Sequence, residues 1–170
     1  MPPIKHAALA LLALALCQPA QVWAEEKAQA PALRIEVPVP LKPAKVVFNM
    51  DHLAFVGEQP VGLTYMKSML ESFKAAKVPV EIVAVFHGGI GYVLLNDAAY
   101  NARPASWKGN PFKEQIKALQ AEGVQFEMCA NTARNNGWMN ADFLPGVKVN
   151  GGAILRIVEL AQDGYVQIQP

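Results

Sequence analysis

From Val46 to Ile168 the chain repeats one pattern: a short apolar run, a polar or glycine break, then a segment of helical period. Val46–Met50, Val80–Phe86 and Val124–Met128 have the length of buried strands, and Val147–Val149 and Tyr165–Ile168 are shorter runs of the same kind. Leu63, Met66, Leu70, Phe73 and Ala76 recur at spacings of three and four, which predicts an amphipathic helix over 61–77. His87-Gly88-Gly89 breaks the second strand and opens a helix expected from Ile90 to about Ala99, with a loop over 100–109. Asn110 as N-cap and Pro111 in the first turn start the next helix, Phe112, Ile116 and Leu119 form its apolar stripe, and Gly123 ends it. Asn131–Gly137 reads as a short helix or turn, and Gly151-Gly152 leads into a helix with Ile154, Leu155, Val158, Leu160 and Ala161. Apart from Gln125 and Glu127, the second and third strands lack clean polar alternation. The pattern therefore predicts an α/β fold with a mainly parallel five-stranded sheet covered by helices on both faces.

In such folds, sites form at the carboxyl ends of the strands. Asp51-His52, His87-Gly88-Gly89 and Cys129 each follow a strand directly, so three strand ends bring polar groups to one edge. Cys129 is the most informative of them. Backbone N–H groups where a helix begins favour a thiolate, and Arg134 nearby adds positive potential if its side chain turns back. The competing reading is a buried, inert cysteine. His87 is a candidate hydrogen-bonding or proton-transferring group. Gly88-Gly89 reads as an anion nest or, more simply, a tight turn. A metal site built from Asp51, His52, His87 and Cys129 is a further alternative, although the spacing matches no standard zinc pattern. No P-loop, CxxC or Ser-His-Asp signature is present, so neither a cofactor nor a resident metal is expected.

The first residues carry Lys5, then the apolar run Ala7–Leu16, then Val22-Trp23-Ala24 before two acids. These are the three regions of a cleavable export signal, so residues 1–24 are expected to be removed and the protein to be periplasmic or secreted, with no membrane attachment afterwards. The apolar run is shorter than the roughly 20 residues a membrane span requires. A lipoprotein reading through Cys17 is disfavoured by Leu16 before it. Residues 25–44, with Pro31, Pro38, Pro40 and Pro43, read as a linker that offers one possible edge strand at Leu33–Val37, and 45–170 as the domain. Of the 15 Lys and Arg, Lys5 leaves with the signal, which balances 14 bases against 14 acids. Near-zero charge argues against nucleic acid as a partner. Cys129 then has no disulfide partner within the chain.

Gly123 through Thr132, the closing stretch from Gly151-Gly152-Ala153 to Tyr165–Ile168, and Val83–Gly88 together resemble the DsrE/DsrF-like proteins over about residues 45–170. The resemblance implies a three-layer α/β/α fold and assembly into trimers or hexamers. It also implies sulfur-relay chemistry, in which a cysteine at the position of Cys129 accepts sulfane sulfur as a persulfide and hands it on. Partners would be a sulfur donor or acceptor protein, or a small sulfane-sulfur compound. Cys129 is the expected reacting group, with Arg134, His87 and Asn131 in support. The alternatives are a non-catalytic oligomeric binding module with a buried cysteine, or a metal-binding protein.

Overall fold

The computed structural model describes residues 32–104 and 108–170. The expected signal peptide, Cys17 and the first part of the linker lie outside the described residues. The chain divides into two units, of which the second is Val39–Pro170. In the first, residues 32–38 form neither helix nor strand, which corrects the edge strand expected at Leu33–Val37. Leu33, Ile35 and Val37 are all exposed, so their alternation buries no face and nothing fixes a pairing register.

The second unit runs β1 (Ala44–Met50), β2 (Phe55–Val56), β3 (Gln59–Pro60), α1 (Val61–Ala76), β4 (Val80–Phe86), a 3-10 segment (Gly88–Leu94), α2 (Asp97–Asn101), α3 (Lys113–Ala121), β5 (Gln125–Cys129), α4 (Ala130–Asn136), a 3-10 turn (Asn140–Asp142), β6 (Lys148–Asn150), α5 (Ala153–Gln162) and β7 (Val166–Ile168). Five strands form one sheet in the order β6-β5-β4-β1-β7, every pair parallel, as the alternation predicts. β2 and β3 make a small antiparallel hairpin between β1 and α1.

The period of two along each strand sorts side chains between two layers. Val46, Phe48, Met50, Ile82, Ala84, Phe86, Phe126 and Met128 face a core shared with Leu63 and Met66 of α1, Ile90 and Leu94 of the 3-10 segment, and Ile116 of α3. Val47, Val83, Val85 and Cys129 face the other way, against Ala153, Ile157 and Leu160 of α5. Phe48, Phe86 and Phe126 are fully buried, each worth about 1.5–3 kcal/mol of apolar burial.

The helix expected over Ile90–Ala99 is two pieces instead, broken at Leu95 and Asn96. Leu95 forms an isolated bridge with Phe143. Asn96 Oδ1 accepts from the Ala99 N–H at 2.9 Å, capping α2, which occupies the start of the stretch read as loop. The buried Asn110 holds this break in place: its Nδ2 donates to the carbonyls of Val93 at 2.8 Å and Leu95 at 2.6 Å. Asn110 is therefore not the N-cap of α3, which begins at Lys113. Its Oδ1 accepts from the Phe112 N–H at 2.8 Å, an Asx turn just ahead of the helix. Gly123 ends α3 as expected, with its N–H on Gln120 and that of Val124 on Leu119.

Candidate functional site

A parallel sheet puts all its carboxyl ends on one edge, and the register here aligns them closely. Met50 pairs with Phe86, Phe86 with Met128, and Cys129 with Asn150. The residues that follow, Asp51, His87, Ala130 and Gly151, thus emerge side by side.

Cys129 is the last residue of β5 and immediately precedes α4. Its position on β5 turns it toward the α5 face, where it is 5% exposed. The Ala153 N–H, at the start of α5, lies 3.4 Å from Sγ. Burial pushes the thiol up, but the N–H groups of Thr132, Ala153 and Asn131 and the Thr132 hydroxyl outweigh it and hold Cys129 below its ordinary value. Two chain turns, one after β5 and one after β6, thus aim donors at one sulfur.

Above the sulfur is an open hollow of about 290 Å³, lined by Cys129, His87, Asn131, Thr132, Gly152 and Leu155 among others. Among the described residues, its lining includes no carboxylate. A second hollow of about 310 Å³ between α1 and α3 is lined by Lys67, Glu71, Lys74 and Glu122 among others, and its lining includes no thiol.

Of the residues singled out from sequence, Cys129, His87 and Asn131 come together in this hollow. Arg134 meets it through Asn131: Nη1 donates to Asn131 Oδ1 at 3.0 Å, and the donors that favour the thiolate are the backbone amides and the Thr132 hydroxyl. Gly88 makes a tight turn, with its N–H on Thr132 Oγ1 at 3.0 Å. Thr132 therefore ties the turn after β4 to the sulfur, a role its sequence position did not signal. His52 turns to Asp51, Nδ1 to Oδ1 at 2.5 Å. Among the described residues no three His, Cys, Asp or Glu side chains gather in one place.

His87 is fixed by a chain of carboxamides. Gln169 Nε2 donates to both Asp51 oxygens at 2.9 and 3.0 Å, which leaves its Oε1 to accept from Asn49 Nδ2 at 3.5 Å. Asn49 Oδ1 then faces His87 Nε2 at 2.7 Å, so that nitrogen carries the hydrogen and Nδ1 keeps the lone pair. Burial lowers the His87 pKa and the charge of Asp51 offsets this only in part. A histidine whose folded pKa lies below its unfolded value favours unfolding when protonated, so His87 withdraws stability as pH falls from the unfolded pKa of about 6.5 through the lower folded one. In an NMR titration His87 should be the Nε2–H tautomer at neutral pH and titrate below 6.5. A midpoint above 6.5 would contradict this placement.

These features define a class: an α/β domain built on a parallel five-stranded sheet that presents a thiol at a strand-to-helix turn. The sequence model of the DsrE/DsrF-like family matches residues 47–170, and the chain belongs to that family. No curated protein matches the sequence. Among solved structures it is similar to MTH1491 from Methanobacterium thermoautotrophicum, described as a protein of unknown function, with 25% identity and a TM-score of 0.57 over 75% of this chain and 99% of that one. The ychN protein from E. coli is 12% identical, with a TM-score of 0.49 over the same shares.

Proposed function

We propose that this protein is an exported sulfur carrier in which Cys129 takes up sulfane sulfur as a persulfide. The observation that carries the reading is the sulfur itself, held at the base of a carboxylate-free hollow by amides from two chain turns. With thiosulfate as donor, the Cys129 thiolate attacks the outer sulfur and the S–S bond breaks. This leaves Cys129–S–S⁻ and releases sulfite. An acceptor thiolate then attacks the terminal sulfur and regenerates the Cys129 thiolate, with no net redox change. Asn131, oriented by Arg134, and neutral His87 border the space where the terminal sulfur sits. Cyanide supplies a simple acceptor: donor-treated wild type should release about one thiocyanate per chain, and Cys129→Ser none.

The low exposure of Cys129 favours the other reading, a binding module with an inert thiol, and the same assay decides between them.

Export rests on the Lys5, Ala7–Leu16 and Ala24 pattern. N-terminal sequencing of the exported protein should begin at Glu25. A chain retaining Leu9–Leu16 would refute cleavage.

Self-association has support in α5. Its inner face is buried, yet Ile154, Leu155 and Val158 on its outer face are 65%, 75% and 50% exposed. A helix apolar on both faces is normally covered. Light scattering at micromolar concentration should show a trimer or hexamer, which Leu155→Asp dissociates. A wild-type monomer would refute it.

A further inference from the structure

Glu127 is the buried charge that the sulfur chemistry leaves unused. It sits two residues before Cys129 on β5, on the same face, and is 3% exposed. Arg156 of α5 reaches it with a full fork: Nε lies 3.0 and 3.1 Å from the two carboxylate oxygens, and Nη2 lies 3.0 Å from Oε1. Asn150 Nδ2 adds a bond to Oε2 at 3.1 Å, and Gln125 Nε2 one to Oε1. Burial pushes the Glu127 carboxyl up, but these partners hold it below its ordinary value, so it is ionised.

Both ends of this cluster lead to the sulfur. Arg156 is three residues, just under one helical turn, beyond Ala153, whose N–H meets Cys129. Asn150, opposite Cys129 in the sheet, bonds Glu127 with one end of its carboxamide and accepts from the Gly152 N–H with the other at 3.1 Å. The segment that delivers the Ala153 N–H is thus tied to Glu127 from before and after. Stability alone does not call for such a pair, because apolar replacements of buried ion pairs are often neutral or stabilising. What the fork adds is direction, since a bidentate guanidinium fixes its partner's orientation.

We propose that Glu127 and Arg156 are positioning residues for Cys129: with Asn150, their ion pair clamps the start of α5 onto β5 and so holds the Ala153 N–H against the sulfur. The inference rests on Cys129 as the working thiol, and its test does not depend on sulfur loading.

The measurement is the rate of Cys129 alkylation by iodoacetamide against pH, on full-length processed protein whose fold is checked by circular dichroism. The charged or titratable groups around Cys129 are Glu127 on its own strand, Arg156 on α5, His87 after β4, and Arg134 acting through Asn131. Two variants separate clamping from simple charge. Glu127→Gln removes a negative charge and leaves Arg156, so charge alone would lower the midpoint, whereas a loosened clamp raises it. Glu127→Leu with Arg156→Met leaves net charge unchanged, and a loosened clamp again raises the midpoint. The expected rise is about one pH unit, which slows alkylation at pH 7 about tenfold. Arg156→Lys keeps the charge without the fork and should give a smaller rise. A folded double variant with an unchanged midpoint, or a fall in Glu127→Gln, would overturn the clamp. Should the double variant not fold, Glu127→Gln and Arg156→Lys decide: both midpoints rising supports it, and either one unchanged or lowered overturns it. Wild-type sulfur loading is scored separately. Failure to load, with midpoints that still rise, removes the carrier reading and keeps the clamp.

Discussion

Cys129 in the folded protein should be alkylated at pH 7 several times faster than an unperturbed cysteine, and Cys129→Ser should take up no reagent in a chain starting at Glu25. Two effects oppose each other at this sulfur. Burial disfavours the thiolate, while the Thr132, Ala153 and Asn131 amides and the Thr132 hydroxyl favour it and win. Each unit of lowering is about 1.4 kcal/mol of differential stabilisation and about a tenfold gain in thiolate when the pKa lies above the working pH. Thr132→Val tests the balance. It removes one donor to the sulfur and also the acceptor of the Gly88 N–H, so the alkylation midpoint should rise while stability falls by about 1–2 kcal/mol. A Cys129 that stays unmodified until the protein unfolds would mean that burial dominates.

Gly88→Ala should lower stability by about 2–4 kcal/mol, and the melting temperature by roughly 10 °C. Gly88 has φ of 60°, and a Cβ there would sit 2.6 Å from the backbone oxygen of Asp51. That oxygen belongs to the chain leaving β1 and cannot move aside as a flexible side chain would. The neighbouring Gly89 is the control: its added Cβ would have Leu53 as its nearest neighbour at 3.8 Å, so Gly89→Ala should cost less than about 1 kcal/mol. Thermal unfolding of both variants checks the contrast. Equal melting temperatures would contradict the strained turn. Because the Gly88 N–H bonds Thr132 Oγ1, Gly88→Ala should also slow Cys129 alkylation.

The sheet was readable because its two central strands carry consecutive buried apolar residues, Val46–Phe48 in β1 and Ile82–Phe86 in β4, and burial on both faces leaves that signature in any context. The edge on which Cys129, His87 and the Gly88 turn meet follows from the same reading, since parallel strands put their carboxyl ends together. The break at Leu95–Asn96 was not readable. It depends on Phe143 and on the side chain of Asn110, residues far along the chain with no local imprint at 90–99. Leu33–Val37 failed for the opposite reason: it has strand-like alternation, but no buried face gives that alternation an effect. Glu127 looked like a polar interruption of a buried strand. Its partner Arg156 lies in a different apolar segment, and the pairing becomes visible only when α5 packs on β5. The donors to the sulfur are mostly backbone amides, which carry no residue code. Arg134 was the visible cation near Cys129, and its guanidinium goes to Asn131.

Intact mass spectrometry of the native processed protein tests most directly whether Cys129 carries sulfur. Wild type incubated with thiosulfate, polysulfide or a persulfide donor should gain about 32 Da per sulfur atom, reversed by cyanide or an acceptor thiol, with no gain in Cys129→Ser. A Cys129 that alkylates readily yet gains no mass from any of these donors would contradict the carrier reading.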